Sequence, residues 1–416
     1  NLVNDRGIHI AKSMFAFQKW GVGKTPEKEG KKPDHFVGDF YVLYNRKAVE
    51  NPFLEEEARK LLQLWEAGDK KTIALWKKMN KWVLQGFKET YKRFGSRFDQ
   101  WFLESEFYGK ASPIIELGKK KGVFSQNEQG ALLARLKRFG LPDKTVLRAD
   151  GSSIYITNDL ALTKYKFEKF KLDESIWVVA SEQNLYFQQL FKIFELLGFK
   201  WANSCKHLSY GMVYLPHGKL KSRAGIVVDA DAIIDEMQAL AEKEILKREK
   251  GIKKSELQKR AAAIALAAIK FYMLKTAVQK DLHFKPEESI SFDGETGPYI
   301  QYTYARAKSI LRKAKKTSLQ KLQFKQLVSS EEKKLIKLLR AFPAAVQKSL
   351  EGMSPHVLCQ FLLEASAAFN SFYHKHAVLQ AESIELKKER LALVQATARV
   401  LKNGLQMLNI EAIERM

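Results

Sequence analysis

The sequence predicts an α/β region followed by an all-α region. Between positions 118 and 201, short β-branched or aromatic runs alternate with helical stretches, which is typical of an α/β layer with parallel strands. After Val228 strand signals almost vanish, and the chain keeps a helical periodicity to Met416. The length of 416 residues allows two or three domains, and the change of pattern divides the chain into residues 1–235 and 236–416.

The elements follow in chain order. A first helix, with apolar positions Ile8, Met14, Phe15 and Trp20, precedes a Gly-, Lys- and Pro-rich loop at 21–33. Segment 36–44 fits a strand or a helix, and the near-heptad spacing over 55–94 predicts two amphipathic helices with a basic polar face. Runs 154–157 and 177–180 predict strands, and 188–197 predicts a helix. Beyond an irregular stretch at 284–298, alternating spacings of three and four mark a packed helix at Leu391, Val394, Ala398, Leu401, Leu405 and Leu408.

Composition restricts the partners. Lys and Arg number 71 against 47 Asp and Glu, a net charge of +24, so most partners should be anionic. The longest apolar run, 261–269, is too short to span a membrane. Cys205 and Cys359 lack metal-ligand spacing, which disfavours a zinc site and fits the cytoplasm. Because the chain opens without a Met or a leader sequence, we expect a fragment of a longer protein.

The most basic region lies at 301–350, with thirteen Lys and Arg against two Glu. Such helices suit a polyanion backbone, although a solubilising face is the simpler alternative. Tyr299, Tyr302 and Tyr304 precede Arg306 and further cations, and single-stranded bases stack on such rings. This interleaving favours nucleic-acid binding.

Two further places could bind a small substrate. The loop at 216–225 holds cations and a hydroxyl between glycines and could neutralise a triphosphate, although by pattern alone an ordinary Gly/Lys-rich hairpin turn is more frequent. Tyr155 and Asp159 follow a predicted strand, at the end where α/β sheets bind ligands. The alternative is that Asn158 or Asp159 caps a helix. No His/Cys/Asp triad is evident, which disfavours a hydrolase.

The run Phe-Asp-Gly-Glu-Thr-Gly-Pro-Tyr-Ile-Gln-Tyr-Thr-Tyr-Ala-Arg at 292–306 closely resembles the signature that opens the anticodon-side helical domain of arginyl-tRNA synthetases. Segments 369–373, 390–408 and 414–416 resemble the same family's anticodon-binding bundle. The loop at 218–223 resembles its degenerate Lys-Met-Ser-Lys-Ser loop, and residues 4–9 resemble a helix start of bacterial-type members. The resemblance covers essentially the whole chain.

The resemblance implies a partial Rossmann-like class I synthetase catalytic domain with helical insertions at 1–235, and a helical anticodon-binding domain at 236–416. It implies that L-arginine is activated by ATP to arginyl-adenylate and transferred to arginine tRNA. Mg²⁺ is expected with ATP, and no structural metal is expected. A cytoplasmic monomer without membrane contact is the expected form.

The resemblance also assigns roles to residues of this chain. The phosphates would be bound by Lys219, Lys221, Ser222 and Arg223, and which lysine faces them stays open. Arginine would contact Tyr155, Asp159 and Gln183; ATP would contact Met212, Val213 and Gly218. The tRNA would contact Tyr299, Gln301, Tyr302, Arg306, Tyr373 and Met416.

One departure matters for activity. The family's ATP-binding His-x-Gly-His motif is expected upstream of Asn1, so the chain as printed is expected to be inactive without that segment. The main alternative is a catalytically inactive synthetase-like tRNA-binding protein. A synthetase for another amino acid is less compatible with the Tyr155/Asp159 pair combined with the run at 292–306.

Overall fold

The computed structural model describes residues 1–215, 229–314 and 322–416. Among these residues, Asn1–Ser209 belong to one compact unit, called unit 1, and 210–215 with 229–416 belong to a second, called unit 2. The predicted arginine contacts lie in unit 1, and the predicted tRNA contacts lie in unit 2.

Unit 1 begins with a helical layer. Its elements are β1 (Leu2–Val3), α1 (Ile8–Trp20), α2 (Pro33–Glu50), α3 (Leu54–Glu66), α4 (Lys70–Phe94) and β2 (Phe102–Leu103). The first helix and the pair over 55–94 are confirmed, and segment 36–44 is helical. The helices pack on aromatic rings, with Phe17 edge-on to Phe40 and Trp82 at centroid distances of 5.2 and 5.7 Å. β1 pairs with β2 in parallel.

The remainder of unit 1 mixes helices and short strands. These are α5 (Glu104–Phe107), α6 (Ser112–Lys120), β3 (Phe124–Gln126), β4 (Leu132–Ala134), β5 (Lys144–Leu147), α7 (Tyr155–Phe170), β6 (Ser175–Ala180), α8 (Asn184–Leu196) and β7 (Cys205–Tyr210). β3, β4 and β5 form an antiparallel sheet, and β6 pairs with β7. The core holds Ile156, Leu160, Leu190 and Phe194, each with no exposed surface.

Two details of the predicted α/β layer are wrong. The sheet of β3, β4 and β5 is antiparallel because short loops join these strands, and a parallel pairing needs a long crossover. The run 154–157 is the start of α7 rather than a strand. Such a short apolar run fits a buried helix turn as well as a strand. The strand predicted at 177–180 is confirmed within β6.

Unit 2 is almost wholly helical, as predicted. Its elements are β8 (Val213–Tyr214), α9 (Ala230–Arg248), α10 (Lys254–Leu274), β9 (Leu282–His283), α11 (Pro286–Ser289), α12 (Gly297–Lys313), α13 (Ser330–Glu351), α14 (Pro355–Lys375) and α15 (Ile384–Met407). β8 pairs with β9 in parallel. The bundle core includes Phe369, Phe372, Leu362, Leu401 and Leu405, all without exposed surface. Over the three described ranges, no helix has both the length and the apolar character to cross a membrane.

Candidate functional site

Helix α7 carries two of the residues that the resemblance assigns to arginine. Tyr155 and Asp159 are four positions apart, so they lie on one face of the helix. The helix begins at Tyr155 with Ile154 at its N-cap, so the alternative that Asn158 or Asp159 caps it is wrong. The Tyr155 ring is 64% exposed, and Asp159 is half-buried. An aromatic group and an acidic group therefore share a face that a ligand can reach.

A single hydroxyl fixes the start of this helix. Thr157 Oγ1 accepts a hydrogen bond from the backbone N–H of Ile154 at 3.1 Å and donates to the carbonyl oxygen of Val146 in β5. The first bond satisfies one of the backbone donors left unpaired at a helix N-terminus. The second bond attaches α7 to the sheet and so holds the Tyr155/Asp159 face in place.

Asp159 lies among charged and polar groups from three helices. The Tyr186 hydroxyl on α8 donates a hydrogen bond to Asp159 Oδ2. Burial raises the pKa of Asp159 to about 6, while the Tyr186 bond and the positive charge of Lys166 lower that pKa and the negative charge of Glu104 raises it. The carboxylate is therefore costly to keep ionised, and an incoming cation would offset that cost.

Glu104 is a second acidic group that sequence reasoning missed. The side chain is buried, and its carboxylate accepts hydrogen bonds from Asn158 Nδ2 at 3.0 Å and from Asn4 Nδ2 at 2.8 Å. Asn158 Oδ1 is also buried and has no hydrogen-bond partner within the described ranges. These contacts join residues 54 and 100 positions apart, so no local pattern could have identified them.

Gln183 lies where a strand passes into a helix. It ends the 3₁₀ turn Ser181–Gln183 between β6 and α8, and it is exposed. Tyr186, three positions later, bonds to Asp159, so the first turn of α8 lies against α7 beside Asp159. Gln183 therefore immediately precedes the helical turn that contacts Asp159.

The predicted ATP contacts that the structure describes lie in unit 2. The backbone N–H of Met212 donates to Asp281 Oδ1 at 2.7 Å, and Val213 pairs with Leu282 across β8 and β9. A Cβ atom at Gly211 would lie 2.2 Å from the carbonyl oxygen of Lys280, so only glycine allows this approach. The third predicted ATP contact is Gly218, and the predicted phosphate contacts are Lys219, Lys221, Ser222 and Arg223; all five lie outside the described residues.

Unit 2 brings together four of the six residues assigned to tRNA. We call Tyr299, Tyr302, Arg306, Asn370 and Tyr373 the Tyr–Arg cluster. Asn370 on α14 accepts from Arg306 Nη1 at 2.7 Å and donates to the Tyr299 hydroxyl at 3.0 Å. The Arg306 guanidinium carbon lies 4.7 Å from the Tyr302 ring centroid and 5.3 Å from that of Tyr373. The guanidinium is thus held between two rings.

A groove of about 390 Å³ adjoins this cluster. Its lining includes Arg306, Lys313, Tyr373, His374 and His376. Tyr373 is 39% exposed, so its ring is available to the groove. Cations beside an exposed aromatic ring suit a phosphate backbone with an unstacked base.

Gln301 does not fit the direct tRNA contact assigned to it. Its side chain has no exposed surface, and Nε2 donates to the carbonyl oxygen of Glu411 at 2.7 Å. The amide therefore anchors the segment that follows α15. Lys308 strengthens the same attachment through a 2.9 Å ion pair with Glu414.

Met416 follows this anchored segment and is half-buried. Glu414 contacts Lys308 on α12. Lys308 is two positions after Arg306, so the two side chains leave the helix about 200° apart. The structure therefore attaches the C-terminal segment and Tyr373 to different faces of α12.

The start of α12 explains the residue types in the run at 292–306. Thr296 caps the helix by accepting from the backbone N–H of Tyr299 at 3.1 Å, and Pro298 occupies the first turn. A Cβ atom at Gly297 would lie 2.4 Å from the carbonyl oxygen of Ala267. Glycine there lets α12 pack directly on α10, which positions the tyrosines that follow.

Comparisons with known proteins agree with this arrangement. The family model for the catalytic domain of class I (R) tRNA synthetases matches residues 13–285, and the model for the DALR anticodon-binding domain matches residues 300–416. The arginine–tRNA ligase of Parabacteroides distasonis is 41% identical over 440 residues, covering 100% of this chain and 73% of that protein. The Treponema denticola ligase is 43% identical over 424 residues, covering 100% and 72%.

The solved structure of Thermus thermophilus arginyl-tRNA synthetase matches with a TM-score of 0.88 and 27% identity, covering 100% of this chain and 75% of that one. The expected combination of a class I catalytic domain with a helical anticodon-binding domain is thereby confirmed. Since the family models and the relatives agree over nearly the whole chain, the chain belongs to the arginyl-tRNA synthetase family.

Proposed function

We propose that this chain works as an arginine–tRNA ligase whose arginine specificity depends on Asp159. Family membership supports the reaction: ATP-dependent activation of L-arginine, followed by transfer to arginine tRNA. No observation favours the catalytically inactive tRNA-binding alternative. The single observation that carries the site assignment is the half-buried Asp159 carboxylate, whose pKa burial raises to about 6.

Asp159 and Glu104 together suit a guanidinium ligand. Asp159 supplies an acceptor for the planar N–H fork, and Glu104 adds a second negative charge nearby. The exposed Tyr155 ring, one turn before Asp159, would stack on or bond to the substrate. Gln183 would add a polar contact from the α8 side.

The chemistry needs no protein nucleophile. An oxygen of the arginine carboxylate attacks the α-phosphorus of ATP, the bond to pyrophosphate breaks, and arginyl-adenylate forms. A hydroxyl of the terminal tRNA ribose then attacks the arginyl carbonyl carbon, and AMP leaves. Positioning and charge stabilisation carry both steps.

The nucleotide would enter as its magnesium complex. We assign its adenine border to Met212 and Val213, and its phosphates to Lys219, Lys221, Ser222 and Arg223 beside Gly218. Cations aimed at the phosphates would stabilise the negative charge that accumulates on the leaving pyrophosphate.

The tRNA would contact unit 2 at the Tyr–Arg cluster, with Met416 as a second contact. Phosphate contacts by the surrounding cations would make this affinity fall with salt. We further propose that residues 1–235 act as the catalytic domain and 236–416 as the anticodon-binding domain, in a cytoplasmic monomer.

The experiment compares Asp159→Asn with Asp173→Asn, a matched loss of one carboxylate at an exposed position of unit 1. Aminoacylation kinetics of the full-length protein should show the arginine KM of Asp159→Asn raised by roughly tenfold or more, because a charge-assisted bond is lost. The ATP KM should move far less, and Asp173→Asn should behave as wild type. An unchanged arginine KM for Asp159→Asn would refute the assignment.

A further inference from the structure

The Tyr186 side chain contacts both Asp159 and Lys144. Its hydroxyl donates to Asp159 Oδ2, and its ring centroid lies 5.1 Å from Lys144 Nζ. The neighbouring Phe187 ring packs edge-on at 5.2 Å. The ring is therefore held from two sides while its hydroxyl points at Asp159.

We propose that Tyr186 is a positioning residue of the arginine site: its hydrogen bond to Oδ2 fixes the Asp159 carboxylate and leaves Oδ1 for the substrate guanidinium. This inference rests on the proposed function. Over the described ranges, Oδ1 of Asp159 accepts no hydrogen bond, whereas Oδ2 has the tyrosine. A carboxylate fixed in one plane loses less freedom when it binds a rigid guanidinium fork.

The bond also acts on the charge of Asp159. The charged groups that face it are Lys166 on its own helix and Glu104 on α5, and Lys144 reaches the tyrosine from β5. A donor to the ionised form favours that form, so Tyr186 opposes the effect of burial on the pKa of Asp159. Burial and the Asp159 charge raise the pKa of Tyr186 itself, which keeps its hydroxyl protonated as a donor.

The test is Tyr186→Phe, which removes the hydroxyl and keeps the ring. Calorimetric titration of the protein with L-arginine from pH 5 to 8.5 should show roughly tenfold weaker binding at pH 7.5. The pH midpoint below which binding is lost should move upward, because Asp159 then protonates more easily. Tyr165→Phe is the matched control, since its hydroxyl has no hydrogen-bond partner among the described residues and that ring also lies in unit 1.

The two proposals can fail separately. If Asp159→Asn binds arginine as wild type does, the arginine site is wrong and the role of Tyr186 falls with it. If Asp159→Asn loses binding while Tyr186→Phe keeps wild-type affinity and midpoint, only the positioning role is overturned. A purely structural role for Tyr186 would lower the melting temperature of Tyr186→Phe without moving the pH midpoint, and it would also overturn the proposal.

Discussion

Arg306 Nη1 donates to Asn370 Oδ1 across 2.7 Å, which joins α12 to α14 in the centre of the Tyr–Arg cluster. The amide nitrogen of Asn370 donates to the Tyr299 hydroxyl at 3.0 Å and to Thr303 Oγ1 at 3.2 Å. One side chain thus bonds three residues on successive turns of α12. Because a fully bonded network resists rearrangement, Asn370 sets the plane in which Arg306 meets the two rings.

Replacing Asn370 with Ala should weaken tRNA binding although Asn370 need not touch the tRNA. The change releases Arg306 from its acceptor and leaves the half-buried Tyr299 hydroxyl and the fully buried Thr303 hydroxyl with fewer partners. We expect affinity for arginine tRNA to fall roughly tenfold, the worth of about one charged hydrogen bond. Fluorescence anisotropy with labelled tRNA measures it. Gln360→Ala, an exposed amide on the same helix, should leave affinity unchanged.

Replacing Gln301 with Leu should release the C-terminal segment. The variant keeps the side-chain volume but removes the donor to Glu411, and the free energy of unfolding should fall by about 1–3 kcal/mol. The residues after α15 should then be removed faster by carboxypeptidase than in wild type. An unchanged digestion rate would mean that other contacts, such as those of Lys308 and Arg312 with Glu414, hold the segment without Gln301.

The sequence predicts the helical half best. Positions such as Leu391, Val394 and Leu401 repeat over many turns, so the periodic signal accumulates and α15 is predicted correctly. The four-residue run at 154–157 offers no such repetition, and its residue types predict a strand although it opens α7. At the start of this helix Thr157 bonds to the backbone of β5, a tertiary contact that no local pattern contains.

The candidate site also has a part that the sequence predicts and a part that it does not. The sequence singles out Tyr155 and Asp159 as residues that follow a predicted strand, and the structure places both on one face of α7, four positions apart. The contacts of Asp159 with Tyr186 and Glu104 join separate elements, so no pattern in the sequence contains them. Gln301 shows a different limit: the resemblance assigns it a tRNA contact, whereas its side chain is buried and its amide donates to the backbone carbonyl oxygen of Glu411.

Changes at Tyr373 and Met416 should separate recognition from stability. The Tyr373 hydroxyl has no hydrogen-bond partner in the part of the chain that the structure describes, so Tyr373→Phe should leave the melting temperature nearly unchanged. Removal of Met416 leaves the bonds of Gln301 and Lys308 to the C-terminal segment in place. Both variants should discriminate less between arginine tRNA and an anticodon-swapped tRNA in competition binding. Full discrimination by both would place the anticodon contact elsewhere.

The pKa of Asp159 also makes a prediction about stability. Its folded pKa of about 6 lies above the ordinary aspartate value of 3.8, so between these pH values the folded protein holds a proton that the unfolded chain releases. The stability that the protonated group contributes is fully present below pH 3.8 and is lost as the pH rises through 6. At neutral pH the ionised carboxylate is therefore a cost to the fold that arginine binding would offset.

Asp159→Asn should accordingly be more stable than wild type at pH 7.5 and bind arginine worse. Asparagine keeps an oxygen that can accept the Tyr186 hydrogen bond, but it carries no charge to desolvate. Differential scanning calorimetry without substrate should show a higher melting temperature for the variant at pH 7.5, a difference that shrinks below pH 6 and vanishes near pH 4. Saturating L-arginine should reverse the order at pH 7.5, because a ligand that binds the folded state stabilises only the protein that retains the site. A variant that is less stable at every pH would show that the Asp159 carboxylate is stabilised by its neighbours, and that burial does not hold its pKa high.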